Sequence, residues 1–118
     1  MTQAIRLFML VEAASFVTAA LIHSGALLAG YEHPRARIAE GVIASVLLAG
    51  LALTWIRPAW TRPVGIGTQA FALLGTLVGI FTIVIGIGPR TVPDIVYHVV
   101  IVLVLVCGLS IAARARAP

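Results

Sequence analysis

Four long apolar segments separated by short polar stretches dominate this sequence. They cover approximately residues 5–30, 36–56, 64–88 and 94–113. A membrane-spanning helix needs about 20 predominantly apolar residues, and each segment reaches that length. The connections contain helix-ending prolines and are too short to form further structure. The pattern predicts an all-α integral membrane protein, an antiparallel four-helix bundle in which residues 1–118 form a single four-pass transmembrane domain.

The composition leads to the same prediction. Of the 118 residues, 61% are hydrophobic and only 10% are charged, whereas soluble domains are typically about a quarter charged. A domain of this size cannot hide such an excess in its core, because about a third of the unfolded-chain surface stays exposed. We therefore expect the lipid bilayer to surround most of the outer face.

The net charge of +4 comes entirely from arginines, since lysine is absent. They stand singly or in pairs at the ends of apolar segments, where membrane anchoring explains them, and no nucleic-acid motif is present. Arginine counting predicts a multi-pass protein of the cell membrane with both termini cytoplasmic. The cytoplasmic set is Arg6, Arg57, Arg62, Arg114 and Arg116, against Arg35, Arg37 and Arg90 on the opposite side.

With this orientation, most of the ionisable groups fall on the outer side of the membrane. His23 follows Arg6 by a helical length of roughly 26 Å, which places it near the outer border. Glu40 lies early in the second segment, and Asp94 and His98 share a face at the start of the fourth. The sequence therefore predicts a ligand or cofactor site in the outer half of the bundle.

A b-type haem near the extracytoplasmic side is the leading hypothesis for that site. His23 and His98, on different helices at similar depth, would be its axial ligands. Four residues at the same border would support it: Arg37 and Arg90 as partners of the propionates, and Asp94 and Glu40 behind the ligating rings.

A transition metal ion bound by His23, His98 and Glu40, with His33 or Asp94 as further candidate ligands, is an alternative, because imidazole and carboxylate suit zinc or iron. Another is a dimeric, proton-coupled small-solute transporter in which the intramembrane Glu12 is the coupling group. Ser24, His98 and Asp94 are the residue types of a catalytic triad, but no feature of the sequence would activate the serine. Whether the protein is an enzyme is therefore left open at this stage.

A structural subunit without a cofactor is the remaining interpretation. Thr91 and Asp94 are then a capping box at the start of the fourth helix, and Glu40 pairs with Arg37. Glu12 would be neutral and bonded to Gln69 or Thr68.

Small residues recur along one face of the third segment. They are Thr68, Ala72, Gly75, Gly79, Thr82 and Gly86. Such strips usually allow close helix packing in membranes, and the Gly75/Gly79 pair is also a candidate homodimer contact. The missing side chains could instead make room for a flat ligand.

Overall fold

The computed structural model describes residues 1–116 as an all-helical chain. The helices are α1 (Thr2–His23), α2 (Pro34–Ile56), α3 (Thr61–Val84) and α4 (Val92–Arg114), with a 3-10 turn at Pro58–Trp60. Each of the four is long and apolar enough to cross a membrane. The predicted all-α class and the four candidate spans are thus confirmed.

The first turns of α2 and α4 are capped by side chains just before or within them. His33 precedes α2, and its Nδ1 accepts the N–H of Ala36 at 3.1 Å. At α4, the Thr91 hydroxyl accepts the Asp94 N–H, and the Asp94 carboxylate accepts the Thr91 N–H. This confirms the predicted capping box, which satisfies backbone donors that a helix start leaves free.

Helices α1 and α3 end before the predicted residues Gly30 and Gly88. Gly25 and Gly86 have positive φ angles of 82° and 87°, a conformation that glycine adopts at low cost and that ends helices. At α1, Gly25 N–H bonds to Ile22 O at 3.1 Å. The apolar composition continues beyond both glycines, so hydropathy alone placed the ends too late.

Contacts between the helix ends show how α1 and α2 are arranged. Near the start of α1, the Arg6 guanidinium donates to the Thr54 carbonyl oxygen at 2.5 Å and stacks 3.9 Å from the centre of the Trp55 ring. At the other end, His23 contacts Glu40 in the early part of α2. The start of each helix therefore lies beside the end of the other.

Helix α1 packs against each of the other three helices, whereas the backbones of α2 and α4 are not in contact within residues 1–116.

The interior holds two apolar clusters. One consists of Ala13, Phe16, Ile43, Ala44, Leu47, Ala72, Ile101 and Leu105. The other consists of Ile5, Met9, Ala112 and Ala115. Much of the outside is also apolar: Leu74, Phe81 and Leu103 are at least 60% exposed, as lipid-facing positions would be.

Candidate functional site

His23, at the end of α1, is hydrogen-bonded to two carboxylates on two other helices. Its Nδ1 lies 2.7 Å from Oε2 of Glu40, and its Nε2 lies 2.9 Å from Oδ1 of Asp94. All three residues are buried. We call these residues the His23 cluster. It joins α1 to the early parts of α2 and α4.

The hydrogen bonds of the His23 cluster require a minimum number of protons. A carboxylate oxygen can only accept, so each of the two bonds needs a proton on one of its two atoms. Two shared protons leave the imidazole and two carboxyl groups with one net negative charge, whichever atom carries each proton. Buried ionic groups usually have matched partners. The His23 cluster therefore has room for one more positive charge.

His98 is held by the main chain rather than by a carboxylate. Its Nδ1 lies 2.7 Å from the carbonyl oxygen of Asp94, so Nδ1 must carry the proton and donate it. In neutral His98 the other nitrogen, Nε2, is an acceptor, and it has no hydrogen-bond partner within residues 1–116. It lies 3.3 Å from the position that a Cβ on Gly79 would occupy. The absence of a side chain at residue 79 thus leaves this nitrogen free.

A cavity of about 380 Å³ lies between α2, α3 and α4, next to the His23 cluster. We call it the main cavity. The polar residues of its lining are His33, Arg35, Glu40, Thr76, Thr82, Tyr97 and His98, of which Arg35 is exposed. The remaining lining is apolar or glycine: Phe16, Ala36, Ala39, Ile43, Gly75, Val78, Gly79, Ile87, Gly88 and Pro89. A mostly apolar wall with a few convergent polar groups is typical of a small-molecule site.

The strip of small residues in α3 faces the interior of the same chain. A Cβ on Gly75 would lie 2.8 Å from Cδ1 of Ile43, and both Gly75 and Gly79 line the main cavity. These glycines therefore allow close packing and also leave space in the cavity. Homodimerisation through them stays a prediction.

A second, more open hollow of about 610 Å³ lies along α1 and α4. Its lining includes His23 and Asp94 of the His23 cluster, together with Ser15, Thr18 and Tyr31. Tyr97 lines both this hollow and the main cavity, and its hydroxyl has no partner within residues 1–116. The Tyr97 ring thus forms part of the wall between the two spaces.

The predicted coupling residue Glu12 lies elsewhere. It is completely buried and lines neither the main cavity nor the second hollow. Both of its carboxyl oxygens lack a hydrogen-bond partner within residues 1–116, as does Oε1 of the equally buried Gln69. This pair is therefore a polar site separate from the His23 cluster.

The structure brings together His23, Glu40 and Asp94, but distributes the other predicted site residues differently. The Asp94 carboxylate, expected behind His98, binds His23 instead. Arg37 and Arg90 are exposed and do not line the main cavity. Glu40 bonds to His23, where the sequence suggested Arg37 as its partner.

The two histidines predicted as haem and metal ligands, His23 and His98, differ in how many of their ring nitrogens are free. Both ring nitrogens of His23 are engaged by carboxylates, whereas His98 keeps one nitrogen free. In residues 1–116, no group of three or more histidine, cysteine, aspartate and glutamate side chains has the geometry to hold a metal ion. Haem and metal binding stay predictions.

Sequence reasoning considered His33 only as a further candidate metal ligand and did not single out Tyr97 as a site residue. The Nε2 of His33 donates to Ile87 O at 3.1 Å, which ties the segment after α1 to the segment after α3. Tyr97 stands beside His98 in the chain, and its ring meets Phe16 edge-on at 6.2 Å. A tyrosine at the start of an apolar segment was the available signal, but membrane-border tyrosines are common.

No family model, curated protein or solved structure matches this chain.

Proposed function

We propose that this protein is a proton-coupled membrane transporter for small apolar organic ammonium ions, which bind in the main cavity. The observation that carries the proposal is the His23 cluster, a buried group of one imidazole and two carboxyl groups that contributes Glu40 to the cavity wall. With only the two protons that its hydrogen bonds require, this group carries one net negative charge. The protein would span the bilayer as an antiparallel bundle with both termini in the cytoplasm, as the arginine distribution favours. The main cavity would then open towards the outside.

The free acceptors of the cavity favour an ammonium ligand. His98 offers Nε2, and Glu40 uses only Oε2 to bond His23. An ammonium group donates to both kinds of acceptor and supplies the missing positive charge, which offsets the cost of burying it. The apolar part of the ligand would contact the remaining wall, where Phe16 and Ile43 lie.

The same charge balance would couple ammonium transport to proton transport. Either one proton or one ammonium ion neutralises the His23 cluster, so binding of one weakens binding of the other. This reciprocal effect is the thermodynamic requirement for exchange. The affinity for an ammonium ligand should accordingly fall as the pH is lowered.

The proposal is tested with 2-phenylethylammonium and its uncharged analogue 2-phenylethanol. We expect purified protein in nanodiscs to bind the ammonium ion at least tenfold more tightly, a difference of about 1.4 kcal/mol. Glu40→Gln should remove this preference, whereas Glu32→Gln, in the connection after α1, should keep it. Equal binding of the two probes, or an unchanged preference in Glu40→Gln, would refute the proposal. Transport is measured separately, as proton release from proteoliposomes on addition of the ammonium probe.

One observation favours haem as a second candidate. A histidine whose Nδ1 donates to a carbonyl and whose Nε2 is free has the arrangement common to metal-bound imidazoles, and His98 has it. Protein purified from haem-replete cells should then show a Soret band that His98→Ala removes. A colourless protein that binds neither haemin nor the ammonium probe leaves the structural subunit as the interpretation.

A further inference from the structure

Glu12 of α1 and Gln69 of α3 meet beside Gly108 of α4 in the interior of the bundle. Both side chains are completely buried. A Cβ on Gly108 of α4 would lie 2.7 Å from Oε1 of Glu12 and would also contact Oε1 of Gln69. The two oxygens are therefore close neighbours, and neither has a hydrogen-bond partner within residues 1–116.

The orientation of the Gln69 amide is fixed by its other end. Its Nε2 donates to the Gly65 carbonyl oxygen at 2.9 Å. Turning the amide over would place Oε1 against that carbonyl oxygen, two acceptors with no proton between them. The amide oxygen therefore points towards Glu12.

An ionised Glu12 would leave this arrangement without a donor. Two acceptors would face each other away from water, and each unsatisfied buried acceptor is unfavourable. No arginine or histidine forms an ion pair with Glu12 in the described part of the chain, where both ion pairs belong to His23. Ca²⁺ and Mg²⁺ take about six or more oxygen ligands, and this pair offers three.

We infer that Glu12 and Gln69 form a second proton-binding site, in which a neutral Glu12 carboxyl group donates its proton to Oε1 of Gln69. The site lies between the two apolar clusters. Along α1 it follows Met9 and precedes Phe16. It is thus separated from the main cavity by packed apolar side chains. This inference does not depend on the proposed ammonium ligand.

Infrared difference spectroscopy of the full-length protein tests the site directly. We expect a C=O stretching band of a protonated carboxyl group at neutral pH in the wild type, absent in Glu12→Gln. The matched control Glu32→Gln removes a carboxyl group near the end of the connection to α2 and should keep the band. Gln69→Leu should shift the band to higher frequency, because the acceptor of its hydrogen bond is lost.

Three results would overturn the inference. In the first, Glu12→Gln removes only bands of ionised carboxylates. In the second, Gln69→Leu leaves the C=O frequency unchanged. In the third, the C=O band appears only when sodium is removed, which would indicate a cation site. If Glu12→Gln does not fold, the frequency in folded Gln69→Leu still decides, since a band that does not move excludes the bond.

Discussion

At the scale of single residues, Asp94 links the start of a helix to the His23 cluster. Its carboxylate caps α4 through Thr91 and also accepts from His23. Its carbonyl oxygen holds the ring of His98. The capping role was readable from the Thr91-x-x-Asp94 spacing, because a capping box is local in sequence. The bond to His23 was not, because it depends on where α1 ends beside α4.

Removing the imidazole from the His23 cluster should be strongly destabilising. His23→Leu leaves two buried carboxylates without their shared partner, and loss of one member of a buried ion pair costs about 3–5 kcal/mol. The matched variant His33→Ala removes a helix cap, worth about 1 kcal/mol, and the hydrogen bond to Ile87 O, worth about 1 kcal/mol. Unfolding in mixed detergent–SDS micelles, followed by circular dichroism, measures both.

Adding Glu40→Leu to His23→Leu should recover part of the lost stability, since one of the two unpaired carboxylates is removed with it. Neighbouring groups of this kind are not additive. Equal free energies of unfolding for His23→Leu and His33→Ala would mean that the His23 cluster contributes nothing beyond ordinary hydrogen bonds.

At the scale of helices, glycines determine both where the helices end and how closely they approach. Gly25 and Gly86 end α1 and α3 through their positive φ angles. Gly108 lets α4 pack against the Glu12–Gln69 site. Hydropathy shows that a helix is present, but Leu27 and Leu28 are as apolar beyond the end of α1 as residues within it. The ends depend on backbone conformation, which hydropathy does not record.

Gly108→Ala should therefore destabilise the protein, whereas Gly67→Ala should not. The new Cβ of the first variant would lie 2.7 Å from Glu12 and 2.9 Å from Phe8, and overpacking of this kind costs about 1–3 kcal/mol. Nothing lies within 4 Å of the Cβ position at Gly67, where alanine is the better helix former by up to about 1 kcal/mol. The same SDS unfolding experiment measures both, and similar stabilities would contradict the close approach of α4.

At the scale of the whole molecule, four apolar helices surround an interior that contains polar groups at two levels. The His23 cluster adjoins the main cavity near the connections 24–33 and 85–91, while Glu12 and Gln69 lie deeper along the helices. Packed apolar side chains occupy the space between. In the proposed orientation, the His23 cluster belongs to the outer half and the Glu12–Gln69 site to the inner half.

The proposed orientation predicts a labelling pattern. With Cys107 replaced by alanine, a membrane-impermeant maleimide should label Glu32→Cys on intact cells, because residue 32 lies in an exposed outer connection. Arg116→Cys should react only after the membrane is permeabilised. The opposite pattern would reverse the orientation, and labelling of both variants on intact cells would indicate dual insertion.

The sequence by itself determined the all-α class and the four helices that are long and apolar enough to cross a membrane, since apolar length and composition are properties of each segment alone. It also set the similar depth of His23, Glu40 and Asp94, because helical rise converts residue number into distance. Only the tertiary structure decided that His23 bonds to both carboxylates, that His98 keeps a free nitrogen, and that Glu12 faces Gln69. Those outcomes depend on the rotation and crossing of whole helices, which the packing of all four against one another fixes together.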